Sequence, residues 1–96
     1  MSTTLTRASQ VIIRDSLLFR EIEGQAVLLE TESGTYFGLD EVGTRMFSLL
    51  ARHGDLEVVL ERLLAEYDVD SATLERDLLN FAQLLQDQEL VHVGAA

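Results

Sequence analysis

Two hydrophobic periods divide this chain of 96 residues. Between Val11 and Leu39 the apolar residues alternate or form short runs, interrupted by the turn signals Glu23-Gly24-Gln25 and Glu32-Ser33-Gly34. The pattern predicts strands over Leu17–Ile22, Ala26–Thr31 and Thr35–Leu39, the last rich in β-formers. Two successive hairpins make an antiparallel meander whose third strand lies at an edge. Val11-Ile12-Ile13 is β-branched and reads as a further strand or an extended lead-in.

From Asp40 onwards the period becomes helical. Asp40 is a good N-cap for a helix to about Arg52, with Val42, Met46, Phe47, Leu49 and Leu50 on its apolar side and Gly54 as its stop. Asp55 caps a second helix to about Tyr67, where Leu56, Val59, Leu60, Leu63 and Leu64 recur at spacings of one, three and four. A third helix begins at Ser71, with Glu75 close to a capping-box position. Leu74, Leu78, Phe81 and Leu85 form its main stripe, widened by Leu79, Ala82 and Leu84. Leu90 to Val93 then alternates as a short strand or wing. The predicted class is α+β: a three-stranded antiparallel sheet followed by three helices, an arrangement like a winged helix-turn-helix. One domain is expected over residues 11–93, with 1–10 and the last three residues as flexible ends.

Composition narrows the function. Seven Arg and no Lys face seventeen acidic residues, for a net charge of −10. Phosphate backbones and anionic membranes are bound through dense positive charge, so nucleic acid and membrane surfaces are disfavoured partners. The apolar runs are far shorter than the ~20 residues a bilayer span requires, and no signal peptide is legible at the start. Without cysteine there is no disulfide, thiolate metal site or cysteine nucleophile, in keeping with a cytoplasmic protein.

Catalysis finds little support. His53 stands at a helix end, where a cation favours the dipole, and His92 lies in an alternating, solvent-facing segment. Neither has the spacing to a second ligand that a metal site needs, and no Ser has a legible His and carboxylate to complete a triad. Asp68 and Asp70 read as capping residues rather than cation ligands. No catalytic residue, metal or cofactor is assigned.

Binding is better supported. Thr35, Tyr36, Phe37, Gly38 and Leu39 form an edge strand with no charge and no Pro, the devices that usually protect such edges. An unprotected edge can accept a peptide as an added strand, although Tyr36 and Phe37 also suit an ordinary sheet. The third helix carries more apolar surface than one core-facing stripe requires. The surplus meets either a partner or the C-terminal Leu90-Val91 segment folding back. Asp77 and Asn80 lie between these positions as polar contacts for a docked peptide, or as plain surface residues.

The stretch Ala26 to Phe47, AVLLETESGTYFGLDEVGTRMF, resembles the signature of the PqqD-like family, and Glu66-Tyr-Asp-Val-Asp70, Leu74-Glu-Arg-Asp77, Phe81 and Leu84 match downstream. The resemblance spans roughly Val11 to Val91. It implies a RiPP recognition element, a small non-catalytic domain that binds the leader of a ribosomally made precursor peptide and presents it to a modifying enzyme. In that family the leader adds to the third strand and lies against the third helix. Carried onto this chain, the docking edge is Thr35, Tyr36, Phe37, Gly38 and Leu39, and the opposite wall is Asp77, Asn80, Phe81 and Leu84. The implied partners are the precursor peptide and an enzyme such as a radical SAM enzyme, a protease or a cyclase, in quinone-cofactor, lasso-peptide or related pathways. Two departures stand out: Asp40 replaces the family's usual Asn, and Glu89 replaces the usual Gly before the final Leu-Val. The rival readings are a winged-helix transcription regulator and a structural domain that forms a homodimer through the same edge.

Charge distribution adds one expectation. Residues 21–41 carry six acids and no base, and 54–70 six acids against one Arg, whereas Thr35 to Leu39 carries none. The edge is therefore expected to be a neutral slot in acidic surroundings, suited to a peptide with neutral or basic flanks.

Overall fold

The computed structural model describes residues 5–94. The chain runs β1 (Gln10–Ile13), β2 (Leu17–Ile22), β3 (Gln25–Glu30), β4 (Thr35–Leu39), α1 (Glu41–His53), α2 (Leu56–Glu66), α3 (Ser71–Asp87) and β5 (Val91–Gly94). Strands β2, β3 and β4 form an antiparallel sheet in that order, so β4 is an edge, as expected. The expected α+β architecture, three antiparallel strands followed by three helices, is the one observed.

Local chemistry explains the joints. Glu23 and Gly24 both take positive φ, 54° and 81°, between the paired Ile22 and Gln25. That is the type I′ geometry whose twist suits a two-residue hairpin. Asp40, Asp55 and Asp70 each accept a backbone N–H of the helix they cap, from Gly43, Glu57 and Thr73 respectively. The cap of α3 is thus Asp70, and Glu75 lies beyond the capping-box position. At Gly54, φ is +74° and a Cβ would press on the Val11 carbonyl at 3.1 Å. Only glycine both takes that conformation easily and lets β1 cross the α1–α2 corner, where Val11 N–H donates to Gly54 O at 2.7 Å.

The core is one cluster between the helices and the inner face of the sheet, containing Leu28, Phe47, Leu50, Leu56, Leu60, Leu63, Leu78 and Leu90. Phe19 of β2 stacks on Phe47 of α1, ring centroids 5.1 Å apart. Buried Thr44 ties helix to sheet by accepting the Ala26 N–H through Oγ1 at 2.8 Å. Arg45 of α1 grips Glu66 at the end of α2 with two parallel bonds of 2.8 Å. Their hydrogen bond raises the Arg45 pKa and lowers that of Glu66. A carboxylate whose pKa is lowered by folding contributes stability above its usual range and loses it as pH falls through the folded value. Because the pair is largely exposed, Glu66→Gln is expected to cost only about 0.5 kcal/mol at neutral pH. The difference from wild type should vanish in acid and in about 1 M salt, as urea melts will show.

The ends differ from the sequence reading. Residues 5–10 do not stand apart: Leu5 is buried in the core, Thr6 and Ser9 close a turn, and Gln10 pairs with Gly94. The reason is tertiary. Strand β1 pairs antiparallel with β5, some eighty residues away, in a separate two-stranded ribbon that joins the two ends of the described part. Residues 1–4 and 95–96 lie outside the described part.

Candidate functional site

The open edge of β4 faces α3 across a groove of about 330 Å³. Hairpin register sets its first wall. Leu28 pairs with Phe37 and Ala26 with Leu39, so these side chains share the inner face, while Tyr36 and Gly38 turn outward. Phe37 and Leu39 are half-buried and floor the groove with Leu28, whereas Tyr36 is 69% exposed at its lip.

The second wall comes from α3. Phe81, Leu84, Leu85 and Gln88 line the groove, and Leu84 is 54% exposed although it lies on an apolar helix face. Phe81 reaches across to Gly43 of α1. Leu90, just past the helix, closes the floor.

A Schellman turn places Leu90. Glu89 N–H donates to Gln86 O and Leu90 N–H to Leu85 O, both at 2.9 Å, with Glu89 at φ +59°. This is the position where the resembling family carries Gly. The Glu89 carbonyl accepts a bond from the Arg14 guanidinium at 3.0 Å, which braces the turn against the chain after β1. A left-handed Glu costs roughly 1–2 kcal/mol, against the smaller entropic cost of Gly. Glu89→Gly is therefore expected to stabilise the fold by about 0.5–1 kcal/mol and raise the melting temperature by a few degrees. Thermal melts of the two proteins check it; a lower melting temperature would show that the Glu89 side chain contributes more than its backbone costs.

Five of the nine residues named from the sequence as peptide contacts line the groove: Tyr36, at its lip, and Phe37, Leu39, Phe81 and Leu84. Gly38 does so with its backbone. Thr35 lines an adjoining polar cavity of about 240 Å³ with Arg14, Glu30, Glu32, Ser33 and Glu89, joined to the groove through Phe37 and Gln88. Asp77 and Asn80 are exposed and line neither cavity. Asp77 sits one turn before Phe81 on the same helical stripe and pairs with Arg76 at 3.7 Å. Sequence reasoning misses four lining residues. Leu28, Leu85 and Leu90 read as core because an apolar residue signals burial but not what buries it, and Gln88 carries no sequence signal at all. The Leu28–Phe37 register follows from the turn at Glu32–Gly34, so Leu28 was within reach.

Electrostatically the groove is what the charge distribution predicts. None of its lining residues carries a formal charge, and Glu30, Glu32 and Glu89 gather at its Thr35 end against Arg14 alone. Glu30 is buried but satisfied, accepting from Ser16 Oγ and from the Glu32 N–H. An apolar trough beside an unpaired strand edge can take an extended peptide: the edge offers main-chain N–H and C=O groups, and the trough takes alternate side chains. Among the described residues no helix is long and apolar enough to cross a membrane.

Known proteins of similar structure share this architecture. TbiB1, solved in complex with the TbiA(beta) leader peptide, is 42% identical over 88% of this chain and 98% of its own, with a TM-score of 0.81. A lasso peptide synthetase B1 complexed with the leader peptide shares the fold at 22% identity, over 86% of this chain and 98% of its own, with a TM-score of 0.77. No functionally curated protein matches the sequence. The family model for coenzyme PQQ synthesis protein D (PqqD) matches residues 25–91, which takes in the sheet edge, all three helices and the groove between them. The chain belongs to the PqqD family.

Proposed function

We propose that this protein is a non-catalytic adaptor: it binds the leader of a ribosomally made precursor peptide as a strand added to β4 and presents it to a modifying enzyme. The observation that carries this is the uncharged groove between an unpaired, unprotected strand edge and α3. The family relationship, and a 42% identical relative solved with a leader peptide, support the same reading. Main-chain pairing supplies affinity independent of side chains, while the trough over Leu28, Phe81 and Leu84 selects apolar residues at alternate positions. Acidic surroundings favour a leader with neutral or basic flanks. The adaptor works in the cytoplasm, where its precursor is translated.

The test is a titration of the protein with the leader peptide encoded beside its gene, followed by backbone amide shifts. Thr35 to Leu39 and Phe81 to Gln88 should shift most. A leader that binds without moving the β4 amides rules out strand addition. DNA binding would instead appear as a gel shift that strengthens steeply at low salt, and self-pairing of β4 as a dimer that the leader dissociates.

A further inference from the structure

The sheet has a second unpartnered surface. On its outer face Leu18, Leu29 and Tyr36 form one cross-strand row and Arg20, Val27 and Gly38 the next, with Ile22 beyond. Leu18, Ile22 and Tyr36 are all more than half exposed, around a shallow depression of about 480 Å³. Solvated sheet faces are normally polar, so an apolar face of this kind marks an interaction surface. Arg20 stands within it and, among the described residues, has no carboxylate within ion-pair distance.

From this we infer that the outer face docks the enzyme that acts on the bound peptide, through an apolar surface carrying a carboxylate opposite Arg20. This rests on the strand-addition reading. Arg20 decides the chemistry of the partner. A partner that covered the face without a carboxylate would strand a desolvated guanidinium, which is strongly unfavourable. A second copy is a poor occupant for the same reason. A two-fold interface uses the same patch on both subunits, and this patch contains Arg20 but no Asp or Glu. Two chains of net charge −10 also repel.

Continuity with the groove points to the enzyme. Tyr36 lines both the groove and the outer depression. A peptide strand added to β4 would extend the sheet and turn every second side chain onto this face, beside Tyr36 and Gly38. Gly38 does not take a positive φ, and a Cβ there would meet nothing within 4 Å, so neither backbone conformation nor packing within the chain calls for glycine. A bare backbone in a strand suits the close approach of another body. Whatever covers this face therefore touches the leader as well, and reads Arg20 as a mark of the right adaptor.

The experiment measures binding of the purified modifying enzyme encoded beside the gene to the leader-saturated protein, for wild type, Arg20→Glu and the double variant Leu18→Gln/Ile22→Gln. Both variants should weaken enzyme binding at least tenfold, while leader affinity stays within twofold and the melting curves stay cooperative. Undiminished enzyme binding by both variants, or no enzyme binding by wild type, overturns the inference while leaving leader recognition intact. Sedimentation that shows a wild-type dimer abolished by Arg20→Glu overturns it in favour of self-association. Failure of the wild type to bind the leader at all would instead remove the strand-addition reading on which it rests.

Discussion

Leu84→Glu is expected to weaken leader binding about 100-fold, equivalent to about 2.7 kcal/mol, while shifting the melting temperature by only a few degrees. Leu84 is already half in solvent on α3, so a charge there leaves the core untouched. In the proposed complex the peptide covers this position. The variant then forfeits about 1–1.5 kcal/mol of apolar burial, since only the exposed half of Leu84 is newly covered, and sets a carboxylate among Tyr36, Phe81 and Leu85 without a cation. Leu84→Ala, which removes the burial alone, should cost about tenfold. Calorimetric titration with the leader measures both. If glutamate and alanine bind like wild type, the peptide does not enter the trough at this point, whatever it does along β4.

Phe47→Ala tests the scaffold rather than the site. Phe47 is 1% exposed, stacks on Phe19 and stands in the cluster that joins α1 to the inner face of the sheet. Phe-to-Ala changes in well-packed cores cost about 3–5 kcal/mol, because lost burial is compounded by a cavity that cannot collapse. A domain of this size has roughly 5–15 kcal/mol in total, so a large share of its stability should go, with a fall in melting temperature of roughly 15–30 °C. Urea melts measure the loss. Saturating leader should recover part of it: ligand at 100 times its Kd adds about 2.7 kcal/mol to any fold that binds it. An equal increment in wild type and variant would show that Phe47 acts through stability alone. A smaller one would mean that the stacked pair also shapes the groove.

Much of this molecule is written locally. Short apolar or β-rich runs between turn signals mark β2 to β4, repeats at three and four mark the helices, and Asp40, Asp55, Asp70 and Gly54 punctuate them within a residue or two. The open edge of β4 is legible too, because the last strand of a meander has its backbone groups unpaired on one side, and here it carries neither charge nor proline. Elsewhere local signals carry less. In β2, Leu17 and Phe19 face inward while Leu18 and Ile22 face outward, so both faces are apolar and the alternation that separates them fades. On α3, Leu84 and Leu85 are equally apolar neighbours, yet one is exposed at the groove and the other buried. The family pattern points to Asp77 and Asn80, which lie on the part of the helix before the trough. Here Leu90 folds back through the Schellman turn and closes the groove around Phe81 to Gln88, the last two turns of α3 and its cap.

The division has a physical basis. The sequence alone determined that β2 to β4 are strands and α1 to α3 helices, where these cap and turn, that the edge is neutral, and which family pattern the chain follows. These depend on contacts within a few residues or on composition. Tertiary structure alone decided that β1 and β5 pair, that residues 5–10 join the fold, and that Leu28, Leu85, Gln88 and Leu90 complete the groove. It also decided that Arg20 stands within an open apolar face. Each of these depends on which distant surface covers a residue, and hydrophobicity records that a side chain favours cover without naming what provides it.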